Sequence, residues 1–236
     1  MGGFTALLLA TPIFGFSLTA PVLEPSLDIT SRTVAVVQAA DAAAPDADRD
    51  TPAAQTEQEQ YIHDLKRRND IAGVHRIMGI STWASMTLTV AVGVMSYYNL
   101  YGFFASQGSN PCVSGKAIGG DGGCDTMRTL HAASAGLTTA LYATTFTLSL
   151  MMPDPDDLSS GKGEFASTLR LHKTLRWVHF GGMVAQALIG LVIANNLLGL
   201  DRANNYGALQ TLATVHLATG IVTYGALTWA GALMTF

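Results

Sequence analysis

The residues of this chain whose type and spacing offer chemistry are its six histidines: His63, His75, His131, His172, His179 and His216. All but His63 lie in, or close to the edge of, long stretches with no Asp, Glu, Lys or Arg. An ionisable side chain in an apolar helix is costly and marks a functional candidate. One such histidine reads as a helix-to-helix hydrogen bond. At least one in each of four stretches asks for a shared purpose.

Depth sharpens that reading. His75 opens the first stretch, and His172 and His179 open the third. His131 opens the second, and His216 lies early in the fourth. If consecutive stretches are antiparallel helices, His75 meets His172 or His179 at one level. His131 then meets His216 near the opposite level, about 20–30 Å away at the α-helical rise. Two imidazoles facing each other across a helix bundle can clamp a planar ligand, and bis-His axial ligation of haem fits. Two layers make two haems b the expected cofactors.

The neighbouring residues suit a macrocycle. Gly79 and Gly220 follow His75 and His216 by four residues, Ala135 and Gly136 follow His131, and Gly181 and Gly182 follow His179. Small residues also serve ordinary helix packing in membranes, so this signal has two readings. Arg76, Arg128, Lys173 and Arg176 lie beside the histidines. They are candidate partners for haem propionates or simple membrane-edge anchors. His172 and His179 are two turns apart on nearly one face. Aligning Asn99 with Asn195 puts His75 level with Leu171, which favours His172 as the ligand. His179, deeper, is then a group supporting the ligand or contacting a quinone, or the ligand itself if the helix is shifted. No carboxylate lies in the charge-free stretches to support a zinc or di-iron site. No Ser-His-Asp, P-loop or Rossmann motif stands out.

The elements that position these residues follow from the distribution of charge. The chain has 236 residues, 49% of them hydrophobic and only 13% charged, about half the charge of an ordinary soluble domain. Residues 77–115, 129–153, 177–200 and 203–236 carry no Asp, Glu, Lys or Arg. Each can hold the roughly 20 apolar residues of a span. The expected fold is all-α, an antiparallel four-helix transmembrane bundle over residues 61–236. Its spans are near 71–104, 126–153, 170–200 and 208–236. This excludes most soluble enzyme classes. The absence of a basic stripe excludes nucleic-acid binding.

Ahead of the spans, residues 1–40 read as a signal peptide or an N-terminal anchor. Residues 41–60, rich in Ala, Asp, Pro and Gln, read as a disordered linker. Lys66, Arg67, Arg68, Arg76, Lys162, Arg170, Lys173 and Arg176 lie on the N-terminal side of the spans, against Lys116, Arg128 and Arg202 on the other. Positive-inside bias therefore puts the N-terminal side in the cytoplasm, whereas a cleaved leader puts it outside. The bilayer expected is a bacterial cytoplasmic (inner) membrane. Cys112 and Cys124, both in the Gly-rich stretch 108–124, are a disulfide candidate in an oxidising compartment or a pair of free thiols.

The motifs VHRIMG (74–79), LHAASAG (130–136), LHKTL (171–175) and VHLATG (215–220), each near a helix start, resemble those of the cytochrome b561 family. More broadly they resemble the four-helix dihaem-b core that it shares with ferric-reductase-like transmembrane domains. The resemblance covers about residues 71–236 and is one of layout. It implies that alternate helices share a haem, with His75 paired to His172 and His131 to His216. Family members add flanking helices, whereas four spans are clear here, and no ascorbate-associated feature can be located. The function expected is transmembrane electron transfer with redox partner proteins or a quinone, as a subunit or partner of a larger redox complex. The alternative is a non-redox assembly subunit whose histidines are structural.

Overall fold

A computed structural model describes residues 52–234. The leader or anchor expected in 1–40, and the first part of the linker, lie outside the described residues. The chain divides into the units Met1–Ala54 and Gln55–Phe236, and the architecture below is that of the second.

The protein is mostly helical, with no strand among the described residues. Four long helices carry it: α1 (Pro52–Tyr101), α3 (Gly123–Met151), α4 (Glu164–Ala194) and α5 (Tyr206–Ala232). A single-turn α2 (Pro111–Ser114) lies between the first two. Of the long helices, α1 and α4 are long and apolar enough to cross a membrane.

Helix ends follow local chemistry. Gly102 takes a left-handed φ of 53° that stops α1. Pro153 follows Met152 at the end of α3 and cannot continue a helix. Asn196, also left-handed, follows the end of α4. The third span thus ends at Ala194 rather than near 200, because an asparagine pair tolerates the turn that breaks the helix. The other boundary to move is the start of α1. Pro52–Gln60 is helical, inside the stretch expected as a linker. Proline suits a first helical turn, and Ala, Gln and Glu propagate one, so nothing interrupts α1 before the span.

Each long helix touches two neighbours, and neighbours run antiparallel as their short connections require. Between α1 and α3, Thr82 meets Thr145 at 2.9 Å and Ser85 meets Thr138 at 2.8 Å. Between α3 and α4, Phe146 stacks on Phe180 at 4.4 Å between centroids. Gln186 of α4 donates to the His216 carbonyl of α5 at 2.8 Å. Trp83 of α1 donates to Thr228 of α5 at 3.1 Å, and Tyr97 pairs with Thr214 at 2.6 Å.

The interior mixes polar side chains with apolar ones such as Met86, Tyr142 and Leu209, and the exterior carries many large apolar residues. Thr82, Asn99, Thr138 and Thr223 are buried, while Ile77, Leu137, Leu188 and Val222 are exposed. Hydroxyls inside and alkyl groups outside are what helices in lipid use to associate, each such bond contributing about 0.6 kcal/mol.

The α1–α3 connection is clasped to the helix ends. The Asn99 side chain donates to the carbonyls of Ile118 and Gly123 and accepts from the Ile118 N–H. Gly123 lies so close to Ile118 that a side chain there would collide with its carbonyl. Cys112 and Cys124 are joined in a disulfide, their Cα atoms 6.0 Å apart. At the other end, Asp154 of the α3–α4 loop binds Arg68 of α1 at 2.7 Å and Lys173 of α4 at 3.0 Å.

Candidate functional site

The two helix hairpins, α1–α3 and α4–α5, repeat one plan. On α1, Gly93 follows His75 by 18 residues, and on α4, Gly190 follows His172 by the same 18. Eighteen residues are about five turns, so each pair shares a helix face. On α3, Thr145 follows His131 by 14 residues, and on α5, Ala230 follows His216 by 14.

These equivalent positions make equivalent contacts. His75 Nδ1 donates to the Thr145 carbonyl at 3.1 Å, and His172 Nδ1 donates to the Ala230 carbonyl at 2.9 Å. Gly93 lies against the His131 ring, and Gly190 against the His216 ring. A Cβ at these positions would come within 2.9 Å and 3.3 Å of the respective Cε1 atoms.

The repeat therefore builds two levels. At one level stand His75, midway along α1, and His172, near the start of α4. At the opposite end His131 and His216 face each other, with ring centroids 6.1 Å apart and planes at 88°. The levels of His75 and Gly93 are separated by about 27 Å of helix.

The hydrogen bonds fix which imidazole nitrogen is free. A carbonyl only accepts, so His75, His172 and His131, whose Nδ1 bonds the Thr89 carbonyl at 3.1 Å, each carry their proton on Nδ1. Their Nε2 atoms keep the lone pair. This is the tautomer of a metal-ligating histidine with a carbonyl holding its other nitrogen. His216 departs from the plan. Its Nδ1 is buried without a hydrogen-bond partner.

The geometry can be tested against a planar cofactor. Two metal–imidazole bonds of about 2 Å each, plus the reach from each nitrogen to its ring centre, require roughly 6 Å between centroids. The His131–His216 separation of 6.1 Å meets that. The residues present fit the group. Among the described residues no three or more His, Cys, Asp or Glu side chains gather as a metal cage would need; His131 and His216 meet as a pair.

His179 occupies a different place. It is buried, and its Nδ1 meets the Tyr142 hydroxyl at 2.7 Å. In the repeat its counterpart on α1 is Thr82, not a histidine. With the Tyr142 hydroxyl as donor, the His179 proton would sit on Nε2.

Of the arginines read as cofactor partners, the structure brings one to the site. Arg176 donates to the Ser149 carbonyl at 3.2 Å, lies 5.3 Å from the Trp177 ring centre, and has a buried Nε with no partner. Arg76 is exposed. Arg128 pairs with Asp125 at 3.1 Å on the surface. Lys173 is held by Asp154, and His63 is exposed beside Asp64.

Glycines were expected beside the histidines on their own helices. Those that touch His131 and His216 are Gly93 and Gly190, on the partner helices. Tyr142 and Gln186 were also missed. The 18-residue His-to-Gly spacing, present twice, was the signal that could have found the two glycines. No family model, curated protein or solved structure matches the chain.

Proposed function

We propose that the protein is a four-span b-type cytochrome of a bacterial cytoplasmic membrane, similar in plan to the cytochrome b561 family. It would carry single electrons between its two faces. The observation that carries this reading is the His131–His216 pair, whose ring centroids lie 6.1 Å apart with their planes nearly perpendicular. The second pair, His75 with His172, stands on equivalent positions of the repeat.

When bound, haem b supplies a one-electron iron couple. The chain supplies the rest. Thr145, Ala230 and Thr89 hold His75, His172 and His131 through backbone carbonyls, which fixes ring orientation and raises the basicity of Nε2. Arg176, whose buried Nε lacks a partner, would hold a propionate of the group between His75 and His172. His172 is the proposed third-helix ligand and His179 a packing neighbour bonded to Tyr142. Redox partner proteins, or a quinone in the bilayer, would deliver and remove electrons, and the chain would act within a larger complex.

The same hydrogen bonds favour a second reading. Three histidines already bond a neighbouring helix, as purely structural residues of an assembly subunit would. Haem content of variants separates the two. Under the cytochrome reading His172→Ala and His216→Ala each lose about one of two haems per chain. Under the structural reading the parent protein holds none.

A further inference from the structure

This inference rests on the membrane-spanning part of the reading above and not on its haems. Where α4 begins, the surface holds an open groove of about 680 Å³ between that helix and the α3–α4 loop. From α4 it is lined by Arg170, Lys173, Trp177 and Val178. Residues three, seven and eight positions after Arg170 share its helix face. Ser159 lines the groove from the loop, and no carboxylate is among its described lining residues. The wall changes character along the helix. Its cations stand at the first turns, and Trp177 lies about 10 Å further along. Trp177 and Val178 are both exposed, and an exposed tryptophan beside cations suits the edge of a bilayer.

The loop holds both cations without exhausting their donors. Arg170 donates from Nη1 alone, to the carbonyls of Ser159 and Gly161 at 2.7 and 2.8 Å, and a guanidinium has five N–H donors. Lys173 Nζ donates to Asp154 at 3.0 Å and to the Ser159 hydroxyl at 2.9 Å, which leaves one of its three protons and the Ser159 O–H itself. Both cationic heads therefore meet the same residue, one at its carbonyl and one at its hydroxyl. Asp154 also binds Arg68 at 2.7 Å, so positive charge is in excess around it. We propose that this groove is a binding site for an anionic phospholipid, its phosphate between Arg170 and Lys173 and an acyl chain along Trp177 and Val178. Basic pockets at the membrane surface hold such headgroups. The apolar end of the groove is what sets a lipid apart from free phosphate.

Phosphatidylglycerol and phosphatidylcholine with the same acyl chains are the probes. The full chain, purified in detergent, is titrated with each, and bound lipid is counted by native mass spectrometry. One phosphatidylglycerol should bind per chain, about 30-fold more tightly than phosphatidylcholine, from roughly fivefold for each of two cations. Arg170→Gln should weaken it about fivefold, and Arg170→Gln/Lys173→Gln should abolish the preference. Lys116→Gln, which removes an exposed cation of the α1–α3 loop, should change nothing. Should the double variant fail to fold, Ser159→Asp leaves α4 intact, places a carboxylate in the groove and should equally abolish the preference. Excess inorganic phosphate should leave the lipid bound. The inference is overturned if the parent binds both lipids alike, if the groove variants keep the preference, if Lys116→Gln weakens binding as much as Arg170→Gln, or if phosphate displaces the lipid. Haem is counted on the same samples. A colourless chain that keeps the preference would overturn the cytochrome reading and leave this inference standing, and a two-haem chain without the preference would do the reverse.

Discussion

His131 and His216 face each other with ring centroids 6.1 Å apart and planes nearly perpendicular, and of the two only His131 has its Nδ1 bonded to a carbonyl. The spacing suits a shared planar group. The unequal second contacts leave the His131 ring held by a neighbouring carbonyl and the His216 ring without such a bond. Both properties arise from helices whose sequences repeat a plan imperfectly.

The two glycines facing these rings should not tolerate side chains. Gly93→Ala places a Cβ within 2.9 Å of His131 Cε1, and overpacking of this kind costs about 1–3 kcal/mol. Gly190→Ala meets His216 at 3.3 Å and should cost less. Thermal unfolding together with haem count checks both. The expected order is Gly93→Ala worse than Gly190→Ala, with one haem affected and the other retained.

Tyr142→Phe removes the partner of the buried His179 Nδ1. Loss of a buried hydrogen-bond partner costs about 1–3 kcal/mol. Stability should fall while haem content and the reduced spectrum stay at parental values, because the proposed ligand set uses His172 and not His179. A lost haem in Tyr142→Phe or His179→Gln, with a full complement in His172→Ala, would exchange the roles of the two histidines.

Asp154 ties the α3–α4 loop to α1 and α4. Its partial burial acts to raise the carboxyl pKa. The Lys173 bond, the Leu158 N–H and the Arg68 charge outweigh that and hold it below the ordinary carboxylate value. A depressed folded pKa means stability that is present above the unfolded value, about 3.9, and lost as pH falls through the folded one. Parent and Asp154→Asn should therefore differ in melting temperature at neutral pH and converge at the acid end. A difference that persists unchanged at low pH would assign the loss to something other than the charge.

The disulfide closes a loop with a sequence separation of 12. A loop of that size stabilises by up to about 3 kcal/mol through the unfolded chain. Cys112→Ser should lower the melting temperature. Haem count should not change, since the Asn99 clasp still holds Ile118 and Gly123 to the helix ends.

Much of the helical layout is legible in the residues, because charge is absent from 77–115, 129–153, 177–200 and 203–236 and histidines stand in or beside those stretches. Their positions mark the helices and the two levels without any structure. The carbonyls of Thr89, Thr145 and Ala230 are not legible, since a backbone acceptor has no residue type. Gly93 and Gly190 went unread, because attention fell on the glycines close in sequence to the histidines, and only contacts across helices set them apart. Hydropathy was a blunt guide where hydroxyls share the interior with apolar side chains. Thr138 and Thr223 count as neutral on such a scale, yet they occupy the centre of the structure. The linker boundary failed for the opposite reason. Composition that suits a solvated segment also suits an exposed helix, and Pro52–Gln60 extends α1.

The central claim is that two histidine pairs each hold a haem. The most direct measurement is the oxidised and dithionite-reduced visible spectrum of the detergent-purified chain, with a pyridine-haemochrome count. The account expects sharp reduced α and β bands and two haems b per chain. A colourless protein, produced with ample haem supply, would contradict it and leave the histidines as bonds between helices.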